Sequence, residues 1–448
     1  MKTMRAIATA MATIFLAICF MSMAEAQTFH SGGVAYCDGC HTMHNSQNNV
    51  TISKGGKQFQ GVNYLLKGSD QSSTCLICHT SSSASQATYQ IMTFPNTGII
   101  PVQRTPGGDF AWLAKSYPAS GIAPASPGER HGHNVIAADF NLTPDTTLSV
   151  APGGTYSANG SNNFGCQSCH DPHSSARIVD GNGTIQYKKL GSAAVPITGS
   201  GSYGTAPTST GAVGVYRLLG GIGYLPISYS GGPAFVNDPP ATVAPTTYNR
   251  TESATETRVA YGKGMSEWCA NCHTAIHNNG TNLSNTLLIH PAGNQAPLTA
   301  TANIGGTAGT VQAIYNAYKM SGDLTNTQAK SYTSMVPYEE GTSVIATLAG
   351  HADTTGTQTS GPITGTENVM CLSCHRAHAT GFNSISRWNN NAEMLTVAGL
   401  WPDAANSASS TYSNGMPLAD YQAAMYDRPA TNYATFQRSL CNKCHAKD

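Results

Sequence analysis

The 448-residue sequence predicts an open fold of coil and turns with short helices and little sheet, and three observations carry that prediction. A Cys-x-x-Cys-His pentapeptide occurs six times and uses twelve of the 13 cysteines. Only 10% of residues are charged, far below the usual quarter, while glycine numbers 46. Turn-forming stretches recur throughout, and few windows sustain helical periodicity.

The pentapeptides come first. They are Cys37, Cys40 and His41; Cys75, Cys78 and His79; Cys166, Cys169 and His170; Cys269, Cys272 and His273; Cys371, Cys374 and His375; and Cys441, Cys444 and His445. This is the attachment signature of c-type haem. Two thiols two residues apart form thioethers with the porphyrin vinyl groups, and the next residue, His, becomes the first axial iron ligand. Zinc or thioredoxin-like chemistry also uses Cys-x-x-Cys, but zinc ribbons pair the motifs without a fixed trailing His. The fold class is therefore a multihaem cytochrome c with six covalently bound haems and one iron in each. The remaining cysteine, Cys19, lies in the N-terminal apolar run, so no pair is left for a structural disulfide.

The N-terminus reads as an export signal. Lys2 and Arg5 form a basic start, Ala6 to Phe20 is apolar, and Ala24-Glu25-Ala26 is a small-x-small cleavage site. The expected division is a signal peptide over 1–26 and one hexahaem domain over 27–448. Lipidation at Cys19 is disfavoured because bulky Ile18 precedes it. No later run is long and apolar enough to span a bilayer. Export suits the motifs, whose thiols must be captured by haem before they oxidise.

A chain this poor in charge would ordinarily suggest disorder. Six porphyrins reverse that expectation, because each is a large apolar plate tied to the chain and supplies core. Taking Lys2, Arg5 and Glu25 from 23 basic and 23 acidic residues leaves a net charge of −1. Haem propionates make it more negative still. Nothing here resembles a basic nucleic-acid surface.

The motif starts are unevenly spaced, from 38 to 103 residues apart, which argues against a solenoid. Thr105-Pro-Gly-Gly108, Ala151-Pro-Gly-Gly154 and Gly220-Gly-Ile-Gly223 mark turns. The best helical windows are Thr310 to Met320 and Leu418 to Tyr426. The motifs themselves are expected on short helical turns.

Nine of the 15 histidines are not committed to a motif. They are His30, His44, His131, His133, His173, His277, His290, His351 and His378. Six irons need six ligands on their second faces unless a face is left open, so there are enough for bis-His ligation throughout. His44, His173 and His378 follow a motif His by three residues, and His277 by four. A three-residue segment extends about 10 Å at most, barely enough to round a porphyrin edge. Such a His is expected to bind a different haem from its neighbour, clamping two haems together. Methionine recurs at no fixed spacing from a motif and ranks below His as a ligand.

Several blocks resemble the OmcS-type family of hexahaem cytochromes, which polymerise into extracellular conducting filaments. They are His30-Ser-Gly-Gly-Val-Ala and Cys40 to His44; Thr105 to Phe110; Gly132-His133-Asn134; Cys166 to His173; Arg258 to Gly262 and Glu267 to His273; Cys371 to His378; and Cys441 to Asp448. The resemblance implies six bis-His haems stacked in one continuous row. It also implies that His44 ligates the haem of Cys371 and Cys374 in a neighbouring subunit, giving a head-to-tail polymer. His131 stands where the family has Lys and is excluded as a ligand. Among the intrachain candidates, His133, His173, His277 and His378 rank first, His351 next, and His30 and His290 last.

The function expected is electron transfer outside the cell or at its outer surface, between redox-partner cytochromes and extracellular acceptors. It is not an enzyme: every motif ends in His, and nothing suggests an open iron. The alternatives are a monomeric periplasmic or outer-surface electron carrier and, below it, a multihaem reductase.

Overall fold

The computed structural model describes residues 37–42, 46–47, 50–51, 65–83, 90–154, 156, 164–172, 177–180, 185–187, 194–196, 219–226, 233–243, 252, 256–275, 290–304, 307–318, 326–352 and 358–445. The leader expected over 1–26, and the candidates His30, His44, His173 and His277, lie outside these residues.

Regular structure is sparse, as the composition predicts. Helices among the described residues are α1 (Cys37–Cys40), α2 (Gln71–His79), α3 (Met265–Cys269), α4 (Val311–Ala317), α5 (Ile345–His351), α6 (Cys371–Cys374) and α7 (Leu418–Ala424). No described strand exceeds four residues; the sheets are two-stranded ribbons and one three-stranded sheet centred on Arg177–Asp180. Two helices fall in the windows that periodicity marks. The Thr310 hydroxyl caps α4 by accepting from the Ala313 amide at 3.1 Å, and Ile314 and Tyr315 are buried. In α7, Tyr421, Ala423 and Ala424 face inward.

Every haem motif sits on one helical turn, in α1, α2, α3 and α6 or in the 3-10 turns Cys166–Ser168 and Leu440–Lys443. In four motifs the His amide donates back to the first Cys carbonyl: His170 to Cys166 at 2.9 Å, His273 to Cys269 at 3.0 Å, His375 to Cys371 at 3.1 Å and His445 to Cys441 at 3.0 Å. Positions i, i+3 and i+4 of a turn share a face, so this bond brings both thiols and the imidazole to one side.

The sequence leads one to expect a core made largely of cofactor. The structure adds a protein core of its own, in which Trp112, Phe382, Trp388, Trp401, Tyr421 and Tyr433 are buried together. Trp401 packs edge-on to Tyr433 with ring centres 5.1 Å apart. Several of the few charges are also inside. Arg376 and Arg387 both reach Glu252 Oε2, at 2.9 and 3.4 Å, and all three side chains are almost completely buried. The Arg376 guanidinium lies 3.7 Å from the centre of the Tyr426 ring. Arg258 pairs with Glu340 at 2.9 Å.

Candidate haem sites

Three distant segments converge to hold two of the candidate histidines. The segment 377–380 is laced to the 105–109 loop by the His378 amide donating to Gly107 O at 2.7 Å and the Asp109 amide donating to Ala379 O at 3.1 Å. On its other edge the His133 amide donates to His378 O at 3.0 Å, and the Thr380 amide to His131 O at 2.9 Å. Asp109 anchors the loop: its buried carboxylate accepts from the amides of Thr93, Gln103 and Ala111 and from the Thr93 hydroxyl. The approach is so close that Gly108, at φ +99°, has no room for a Cβ, which would overlap the Ala379 carbonyl.

The two histidines this lacing sets are His378 and His133. His378 stacks on Phe110 with ring centres 4.8 Å apart. Its Nδ1 is buried with no hydrogen-bond partner among the described residues. An imidazole nitrogen that finds no protein partner is one that an iron can take. The ring lies within electrostatic reach of His170, His133 and His79, and burial pushes its pKa down to about 3. His133 donates from Nδ1 to the Ala377 carbonyl at 2.7 Å, and burial takes it down to about 4. Both rings are therefore neutral near pH 7, which is the form that binds a metal.

A metal–imidazole bond is about 2 Å long, so two imidazoles trans on one metal have ring centres about 6 Å apart. The His133 and His273 rings are 6.2 Å apart, and the His290 and His445 rings 5.8 Å. His290, which sequence ranks last, is thus beside the sixth motif. No local signal could have promoted it, because the two positions are far apart in the chain.

A shared hydrogen-bond pattern marks these rings. His133, His273, His290 and His375 each turn Nδ1 to a main-chain carbonyl: Ala377 at 2.7 Å, Pro152 at 2.9 Å, Pro291 at 2.9 Å and Ser384 at 2.7 Å. A carbonyl only accepts, so Nδ1 carries the proton and Nε2 keeps its lone pair for iron. His351 turns Nδ1 to the Glu340 carboxylate at 2.8 Å with the same result. His131 differs. Its Nδ1 meets Trp112 O at 3.0 Å and its Nε2 the Ser126 hydroxyl at 2.7 Å, so both nitrogens are engaged and the ring is a buried strut.

The cysteines run in motif order. Cys75 is hydrogen-bonded to Cys166 and lies within electrostatic reach of Cys40. Cys169 is near Cys272 and Cys269, Cys269 is hydrogen-bonded to Cys371, and Cys374 is near Cys444. The six motifs therefore form an unbranched series from first to sixth. The eleven cysteines whose side chains are described make no disulfide. Burial pushes the Cys169 and Cys374 thiols well above the ordinary range, and Cys272 and Cys444 to about 12, so none of these four is a ready thiolate. Paired thiols on one face of a turn, opposed imidazoles at trans-ligand separation and an orphaned buried nitrogen together fit c-type haem.

No protein-family model matches the chain. It is 48% identical over 452 aligned residues to the C-type cytochrome OmcS of Geobacter sulfurreducens, covering 97% of this chain and 98% of that one. Its structure is similar to that of the OmcS nanowires of the same organism solved by cryo-EM, with a TM-score of 0.79 over 94% of this chain and 100% of that chain. A second solved structure, the Outer Membrane Cytochrome S filament, superposes with a TM-score of 0.78 at 48% identity and the same coverage.

Proposed function

This chain belongs to the OmcS family of c-type cytochromes, and on that premise we propose that it polymerises and carries electrons outside the cell through six bis-His haems. The observation that carries the proposal is the unbranched order of the six motifs, each against the next. Porphyrins tied at those thiols would follow one another in the same order, which suits electron hopping. When bound, each haem supplies an iron that alternates between ferric and ferrous. The chain supplies spacing, ligation and potential.

Each motif His takes one face of its own haem. As second ligands, His133 would serve the haem of His273, and His290 the haem of His445. His378 serves the haem of either His79 or His170, both of which it neighbours. His30, His173, His277 and His351 are candidates for the intrachain positions still open. His44 reaches into the next subunit and completes the haem on Cys371, Cys374 and His375. A subunit whose one end completes the other end of its neighbour makes a heterologous contact that repeats without closing. The redox partners are other cytochromes and extracellular acceptors.

Electron microscopy of purified protein before and after His44→Ala tests the polymer. The expected result is filaments in the first and none in the second, with one haem per chain turned high-spin. Filaments with six low-spin haems after the change would remove the inter-subunit ligation. Mass measurement of the exported protein tests the leader: the chain should begin at Gln27.

A further inference from the structure

Lys443 occupies the position between the two cysteines of the sixth motif, immediately before Cys444 and two residues before His445. It is the only cationic residue between the cysteines of any of the six motifs; the others carry Asp38-Gly39, Leu76-Ile77, Gln167-Ser168, Ala270-Asn271 and Leu372-Ser373. A lysine at such a position on a helical turn would ordinarily extend into water. Here it is 1% exposed.

Its ammonium is caged. Nζ donates to Tyr315 O at 2.8 Å, to Ser331 O at 2.6 Å and to Tyr318 O. It also lies 4.2 Å from the centre of the Tyr315 ring. Two of the three carbonyls belong to the C-terminal end of α4, where the helix dipole favours a cation. Three carbonyls can only accept, and an amine offers three donors only as the ammonium. Among the described residues no carboxylate lies within ion-pair distance: the nearby Glu256 is taken by Arg428. The charge is thus buried and, among the described residues, makes no ion pair, next to a thioether position of the sixth haem.

Resting on the haem reading above, we infer that Lys443 is a built-in electrostatic determinant of the sixth haem, raising its reduction potential relative to that of a neutral residue in the same place. A ferric haem carries one more positive charge than a ferrous one. A fixed neighbouring cation therefore disfavours the oxidised form, and in a low-dielectric interior salt screens that effect weakly.

Lys443→Gln tests this, because the amide can still donate to the carbonyl cage while the charge is gone. Lys443→Met is the second neutral variant should glutamine not fold, and Lys443→Arg keeps the charge. Haem content is measured first: six haems per chain, with one on the 441–445 peptide by mass spectrometry, checks the underlying reading independently. Spectroelectrochemistry with haem-resolved NMR then follows each midpoint. The expected outcome is a downward shift confined to the sixth haem, retained at high salt, and little change in the arginine variant. A fully loaded neutral variant with an unmoved sixth midpoint, or with all six moved alike, overturns the inference. Fewer than six haems in the unaltered protein overturns the haem reading instead.

Discussion

His133 and His273 face one another with ring centres 6.2 Å apart and planes 46° apart, although 140 positions separate them in the chain. That separation suits an iron held from both sides. Replacing His133 with Ala should convert one haem of six from low-spin to high-spin and open it to carbon monoxide. Spin state is read by electron paramagnetic resonance and ligand binding by absorbance. His131→Ala is the companion: it should leave all six haems low-spin while lowering stability by about 1–3 kcal/mol, the cost of orphaning its buried partners. A high-spin haem in that variant would mean that His131 is a ligand after all.

Gly108→Ala should be disruptive out of proportion to its size. The methyl group would meet the Ala379 carbonyl, and the backbone sits at φ +99°, where an L-residue is strained. A loss of at least about 2 kcal/mol is expected, read as a lower midpoint of thermal unfolding. The same change at Gly350, where a Cβ meets nothing within 4 Å, should be nearly neutral or mildly stabilising.

Glu252 is the shared carboxylate partner of two fully buried guanidiniums. Glu252→Gln leaves Arg376 and Arg387 without their shared carboxylate, and breaking a buried ion pair from one side costs about 3–5 kcal/mol. Denaturant titration should place the variant's midpoint well below that of the unaltered protein. An unchanged midpoint would show that another anion already pairs with these arginines.

Stability should also fall as pH rises toward 8. Burial, reinforced by the charge of Glu267, raises the Glu339 carboxyl from 4.5 to about 8. The folded chain then keeps a proton that the unfolded chain releases, so between those two values folding is progressively disfavoured. The slope reaches at most about 1.4 kcal/mol per pH unit. Glu339→Gln removes the proton exchange, so the variant should be more stable than the parent at pH 8 and little different at pH 4. Thermal unfolding across that range measures it.

Much of this molecule was legible before its structure because covalent haem attachment leaves a local signature. Cys, Cys and His must share one helical turn, so the motif is short and its spacing rigid. The windows around Ile314 and Tyr421 were legible for a similar reason: burial on one helix face repeats every three to four residues. What could not be read were the partners across space. His290 has no distinguishing neighbours in sequence, yet it lies beside His445. Glu252 is 124 positions from Arg376, and no local pattern joins them. The cluster that joins Trp112, Phe382, Trp401 and Tyr433 was not legible either, because its aromatics lie far apart in the chain.

The Nδ1 atoms of His133, His273, His290 and His375 are held by main-chain carbonyls, not by side chains. A carbonyl survives any substitution at its own residue. The tautomer that each of these rings presents is thereby shielded from side-chain substitution, provided the backbone keeps its path. Sequence is then free to diverge around these imidazoles while the nitrogen each one leaves open stays the same.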